Sequence, residues 1–271
     1  MLGQMLRAVS GARVRALQAL INSLFGAGEQ GAIYIPMPIV LGAQALFQDA
    51  AGTVPVTADG DPIGKMMDQS GSGNHAIQSI SGRRPVYRTD GVLHWFETNG
   101  TNSHFQFTFP EYRNFTEVDF FYGIETEAGT VADNTKDFVV GSAGYYFSGF
   151  TGLTSGETFM LISDNPQLRL GSSLYSRAAN TAGIVSFSIP NAGVGTLRTD
   201  GSNVPMNLTI GSNFSPSASS STSDIVEIGS IKNTSFSAIK IYALIIRNKN
   251  SSTSETQQTE SYIAALSGVA L

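Results

Sequence analysis

The chain is 271 residues long, room for one large domain or two small ones, and its 41% hydrophobic and 10% aromatic residues are enough to build a packed core. Charged residues make up only 14%, against roughly 25% in an average soluble protein; this excludes a coiled coil or charge-laced bundle, and the aromatics exclude a wholly disordered chain. A net charge of −5 without clustered Lys and Arg argues against nucleic acid as a partner, and the absence of cysteine excludes a disulfide scaffold, a thiolate metal site and a cysteine nucleophile.

The opening Met1-Leu2-Gly3-Gln4-Met5-Leu6-Arg7 is a poor secretion signal, because Arg7, Arg13 and Arg15 interrupt the apolar run of roughly 7–15 residues that one needs. No later stretch approaches the roughly 18 apolar residues of a spanning helix, so the expectation is a product made in a cytosol, with no membrane span. From about Gln4 to Phe25 the pattern predicts a helix. Leu6, Val9, Leu17, Leu20, Ile21 and Leu24 form its apolar stripe, and Gly26-Ala27-Gly28 supplies a stop. Such a stripe must be covered. It either folds back on its own domain or serves assembly, as a self-association bundle or a docking peg, and the six stripe residues are the expected assembly residues. A membrane-surface helix is a further alternative. Residues 1–28 are accordingly read as an anchor or oligomerisation segment, and 29–271 as the main domain.

From Gly31 to about Arg247 short runs of Val, Ile, Phe, Tyr and Thr alternate with turn residues, which predicts many strands. Phe105, Phe107 and Phe109 alternate with Gln106 and Thr108, so one sheet face is buried and the other wet. Asp200-Gly201 signals a hairpin. Gly211 to Asp224 has loop composition and reads as a surface excursion. Ala238 to Ile246 is apolar on both alternating faces, with Ile239, Ile241 and Ile245 on one and Tyr242, Leu244 and Ile246 on the other, which predicts a strand covered on both sides. Ser252-x-x-Glu255 has capping-box spacing and opens a short helix. That helix directs Tyr262, Ile263 and Leu266 toward the body and ends at Gly268. With no helix alternating between strands, the fold class is all-β: an antiparallel jelly-roll sandwich with a helix at each end.

Chemistry is hard to assemble from this chain. Glu117-Val118-Asp119 resembles the Glu-x-Asp strand of retaining glucanase-type hydrolases, whose two carboxyls stand roughly 5–5.5 Å apart. Phe121 and Tyr122, however, occupy the positions of the second Glu, and Glu125 comes too late to share the face reliably. His75, His94 and His104 are scattered, and Gly-x-Ser-x-Gly is absent. Asp59-Gly60-Asp61 and Asp68 could offer oxygens to Ca²⁺, although acids beside glycine usually make turns. Arg83-Arg84-x-x-x-Arg88 reads as a solvated or paired spot. Asp68 and Ser70 can accept from backbone N–H groups ahead of them, Gly71 and Gly73 permit tight reversals, and His75 can donate to a backbone carbonyl. The expectation is a non-enzyme with no cofactor and no metal. Tyr145, Tyr146 and Phe150 are the candidate ligand-binding residues, because sugar sites set aromatic faces beside polar groups.

Several stretches carry a family likeness. Phe47-Gln48-Asp49-Ala50-Ala51-Gly52-Thr53 through Asp59-Gly60-Asp61-Pro62-Ile63-Gly64 resembles the opening of a family of tailed-bacteriophage and prophage proteins. So do Asp68-Gln69-Ser70-Gly71-Ser72-Gly73-Asn74-His75-Ala76 and Arg84-Pro85-Val86-Tyr87 through Asn99-Gly100-Thr101-Asn102. The Asp-x-Ser-Gly-x-Gly-Asn-His core is also similar to laminin-G-like, concanavalin A-like jelly rolls. Ile228-Gly229, Phe236 and Ile239-x-Ile241-Tyr242 look like that superfamily's last strands. The resemblance implies a virion protein made in a host bacterial cytoplasm, at the tail tip or fibre with a role in host-surface attachment, or else a capsid decoration or head spike. It implies other virion proteins as partners, a homo-oligomer (a trimer by analogy) and host-surface glycan as a possible ligand, and it carries no catalytic residue across. A soluble carbohydrate-binding module is the alternative from a different class.

Overall fold

The computed structural model of the chain describes residues 2–108, 117–126, 136–140, 147–151, 158–162, 172–173, 180–190, 195–204, 225–231, 235–236 and 238–271. Two antiparallel sheets form a sandwich, and two helices, α1 (Leu2–Phe25) and α2 (Thr253–Ser267), lie against the outer face of one of them. The sandwich with a helix at each end is the architecture expected from the strand-and-turn pattern.

Among the described residues the helix-covered sheet has eight strands. They run in the order Ser202–Val204, Thr196–Thr199, Gly183–Ile189, Val118–Thr126, Ile239–Arg247, His94–Glu97 and Val86–Thr89, with Gly31–Tyr34 also paired to Ile239–Arg247. The other sheet has nine: Ser172–Ser173, Thr158–Ile162, Phe147–Thr151, Lys136–Val140, Ile225–Ile228, Phe105–Thr108, Ala76–Ile77, Lys65–Met66 and Leu46–Phe47. Phe96, Phe105, Phe120, Tyr122 and Phe187 fill the space between the sheets. The expected hairpin is present. Thr196–Thr199 pairs with Ser202–Val204, and Asp200 and Gly201 both take the positive φ of a tight turn, 47° and 77°.

Ile239–Arg247 is the spine, buried at every position but Lys240. One edge pairs with Val118–Thr126. The other is shared, Lys240 and Ile241 lying opposite Glu97 and Phe96, and Leu244 to Arg247 opposite Tyr34 to Gly31. Its register on Val118–Thr126 jumps from Gly123↔Ala243 to Ile124↔Ile241, so Tyr242 is the extra residue of a bulge. An extra residue reverses the in-out alternation beyond it. Ile239, Ile241, Leu244 and Ile246 therefore face the inter-sheet core, while Ala243 and Ile245 face the helices. This corrects the strict alternation read from the sequence, which set Ile245 beside Ile239 and Ile241.

The outer layer corrects the reading of α1 as well. Leu17, Leu20, Leu24 and Phe25 are buried with Ile263, Ala264 and Leu266 of α2 against Ile33, Phe121 and Ile245 of the sheet, and Ile21 packs on the same cluster. The 15-residue α2 is too short to cover the outer face of eight strands, and the second half of α1 completes the cover. Leu17, Leu20 and Leu24 are thus core residues of their own chain and not free assembly contacts. The side chains of Leu6 and Val9 lie outside the described residues. Helix α2 follows its sequence signals closely. Ser252 and Glu255 form a reciprocal capping box, and Gly268 ends the helix in the left-handed region.

Candidate functional site

The segment that carried the family likeness is a clamp. Asp68, 8% exposed, accepts at Oδ1 from the N–H groups of Ile33 (2.9 Å) and Ser70 (2.8 Å). At Oδ2 it accepts from Ser70 Oγ (2.8 Å) and Asn74 N–H (3.1 Å). Asn74 Nδ2 donates to the Gly31 carbonyl at 2.8 Å, so the loop is tied to the strand Gly31–Tyr34. Gly71 and Gly73 supply the positive φ values of the reversals. His75 plays the opposite role to the one expected, because its Nδ1 accepts from the Asp68 N–H at 3.1 Å. Burial and the neighbouring Lys65 lower its pKa, which favours the neutral ring that accepting requires.

Of the candidate carboxylates, Asp59, Asp61, Asp119 and Glu125 are also engaged within the fold. Asp119 is buried and accepts from Asn250 Nδ2 (2.8 Å) and Ser251 N–H (2.6 Å), which fixes the turn leading into α2. Burial raises its pKa. Glu125, expected to come too late to share the face of Asp119 reliably, lies on it in the same strand. The two stand six positions apart, however, which is about 20 Å along a strand and far beyond a retaining pair. Glu125 instead accepts from Lys240 Nζ (2.6 Å) and Tyr242 Oη (3.1 Å). Asp61 accepts from the N–H groups of Thr57 and Ala58, and Asp59 from that of Thr89, as turn residues do. Glu260 is bidentate to Arg198 (2.8 and 3.0 Å) and accepts from Ser186 Oγ (2.7 Å). Of the candidate ligand residues, Tyr145 and Tyr146 lie outside the described residues. Phe150 stands in the strand Phe147–Thr151 opposite Phe159, and its side chain lies outside the described residues too.

The structure brings together a site that the sequence did not signal. A groove of about 550 Å³ lies between the two helices and two turns, floored by Leu17, Ile35, Val40 and Leu266 and rimmed by Val14, Ile39 and Val92. Val14, Ile39 and Val92 are 43%, 52% and 65% exposed; among the described residues seven large hydrophobics are exposed, and three of them meet here. Stiff turns hold the rim out. Ile39–Val40 pairs with Ala43–Gln44 across Leu41 and Gly42, both at positive φ. Asp90 Oδ1 accepts from the N–H groups of Val92 (2.8 Å) and Leu93 (2.7 Å). Three polar side chains enter the groove. His94 shares a 2.6 Å hydrogen bond with Tyr87 Oη through Nδ1, and burial and then the charge of Arg13 lower its pKa. Tyr262 is pushed up to about 12 by burial. Arg13 lines the wall and has no carboxylate partner among the described residues.

A smaller cleft of about 340 Å³ lies near the start of α2, bordered by Ser186, Ser188, Thr196, Ser251, Thr253 and Thr256, with Arg198 alongside. These groups come from strands and a helix far apart in the chain, so no local motif could have marked them.

No family model matches the sequence, and no curated protein matches it. Solved structures do match. The chain is similar to domain 4 of a GH43 extracellular arabinanase from Geobacillus stearothermophilus, in complex with arabinotriose, with a TM-score of 0.56 and 14% identity over 71% of this chain and 91% of that one. It is similar to the binding domain of botulinum neurotoxin serotype D, with a TM-score of 0.58 and 9% identity over 91% of this chain and 52% of that one. It is also similar to the Trypanosoma rangeli sialidase in complex with the inhibitor DANA, with a TM-score of 0.52 and 13% identity over 93% of this chain, which spans 38% of that protein. At these identities the likeness is one of fold: a β-sandwich shared by a domain solved with a sugar, a toxin binding domain and part of a glycosidase.

Proposed function

We propose that this chain is a non-enzymatic binding sandwich of a tailed-bacteriophage virion. It docks on neighbouring virion proteins through the helix side and displays its other sheet outward, at the tail tip or fibre, in host-surface attachment. The observation that carries the docking role is the groove, where Val14 on α1 and Ile39 and Val92 on two stiff turns hold exposed aliphatic surface together. The non-enzymatic reading is supported by the engagement of Asp68, Asp119, Glu125 and Glu260 in internal hydrogen bonds. The virion setting is supported by the sequence resemblance over residues 47–102. The anchor is therefore assigned to a groove that α1 helps to wall, and not to the stripe of α1 itself. Val92→Asp places a charge on an exposed turn, so the variant is expected to fold normally and to be missing from purified particles. A folded Val92→Asp chain incorporated at the normal level refutes the docking role.

A second reading, a carbohydrate-binding module, is favoured by the hydroxyl-lined cleft near the start of α2. Saturable binding on a glycan array, weakened by Thr196→Val, would support it, and an array without binding would dismiss it.

A further inference from the structure

We propose that the groove receives an aliphatic peptide segment carrying an acidic side chain, contributed by a neighbouring protein, and that Arg13 is the residue that recognises the acid. This rests on the docking reading above and names the partner's chemistry. The floor and rim are aliphatic, so an apolar segment gains by burying itself there. Among the described residues no Asp or Glu lines the groove. The Asp90 carboxylate, near enough to act on His94, is engaged by the N–H groups of Val92 and Leu93 in the rim turn. The one full charge in the lining is Arg13, half-buried on the wall and without a carboxylate partner among the described residues. His94 is held at Nδ1 by Tyr87, and Tyr262 lines the other wall, so both add polarity and neither supplies an anion. In a chain of net charge −5, a cation set in an apolar groove favours an acidic partner over a neutral or basic one.

The test uses the full chain and three capped, fluorescein-labelled octapeptides of alternating Leu and Ser with a central Glu, Gln or Lys. Binding is followed by fluorescence anisotropy. The Glu peptide is expected to bind about fivefold tighter than the Gln peptide, as one partly exposed ion pair allows, and the Lys peptide most weakly. In Arg13→Gln, whose thermal midpoint should match the wild type, the Glu and Gln peptides are expected to bind alike. Raised salt should shrink the Glu preference in the wild type only. Equal binding of all three peptides, or a Glu preference that survives Arg13→Gln, overturns the acidic partner; so does no binding of any. Incorporation of Val92→Asp into particles is read separately and decides the docking reading, so the two can fail independently.

Discussion

The acids and bases of this chain show how far a residue can be read from its neighbours in sequence. Asp68, Ser70, Gly71 and Gly73 were legible, because the bonds from Ser70 and Asn74 to Asp68 and the glycine reversals are local. The polarity of His75 was not, because burial and a charge from another strand help select its neutral ring. Glu29 was not legible at all. It is fixed by residues some 220 positions later, accepting from Lys249 Nζ at 3.0 Å and Arg247 Nη2 at 3.4 Å. Burial alone would raise its pKa, yet the hydrogen bonds from Lys249 and from backbone N–H groups prevail and hold it at about 2, below its ordinary 4.5. A carboxyl lowered on folding binds fewer protons in the folded state, so its stabilisation is complete above pH 4.5 and fades as pH falls toward 2. Glu29→Gln should therefore be less stable than wild type at pH 7, and urea midpoints measured down the acid range should converge. A gap of constant size from pH 7 to pH 2 would show that the carboxylate charge is not what stabilises.

At the scale of elements, local signals proved sufficient and partner-dependent ones did not. The Ser252/Glu255 capping box is realised atom for atom, with Ser252 Oγ accepting from Glu255 N–H at 3.2 Å and Glu255 Oε2 from Ser252 N–H at 2.7 Å. Ser252→Ala should cost about 1 kcal/mol, read as a lower urea midpoint at an unchanged slope, and Ser252→Asp should restore most of it. An unshifted Ser252→Ala midpoint would mean that packing of Ile263 and Leu266 on the sheet holds the start of α2 unaided. The bulge at Tyr242 gave no such sign. Nothing in Ile239 to Arg247 marks one residue as supernumerary; the extra residue exists only against the register of Val118–Thr126. The Glu125–Lys240–Tyr242 contact at that bend was hidden for the same reason. The groove is hidden more deeply still, since its walls come from Arg13, Ile39, Val92 and Tyr262, distant in the chain and joined only by tertiary packing.

For the whole molecule, α1 decides how the sandwich and the groove relate. A helix whose stripe either folds back on its own domain or serves assembly takes the first course and forms half of the outer layer, with Leu24 wholly buried and Leu17 and Leu20 nearly so. The same helix turns Arg13 and Val14 toward the groove, so the wall that would meet a partner is braced by the core beneath it. Two substitutions on one helix should then separate. Leu24→Ala opens a cavity against the sheet and should cost about 2–5 kcal/mol, whereas Val14→Ser, on exposed surface, should stay within about 0.5 kcal/mol. Removing residues 1–26 altogether would bare Ile33, Phe121 and Ile245. The shortened chain should therefore melt at a lower temperature, bind an apolar dye and elute as associated species in gel filtration. A shortened chain that stays monomeric with the full-length midpoint would place α1 outside the stabilising body, and the apolar stripe would again be free to serve assembly.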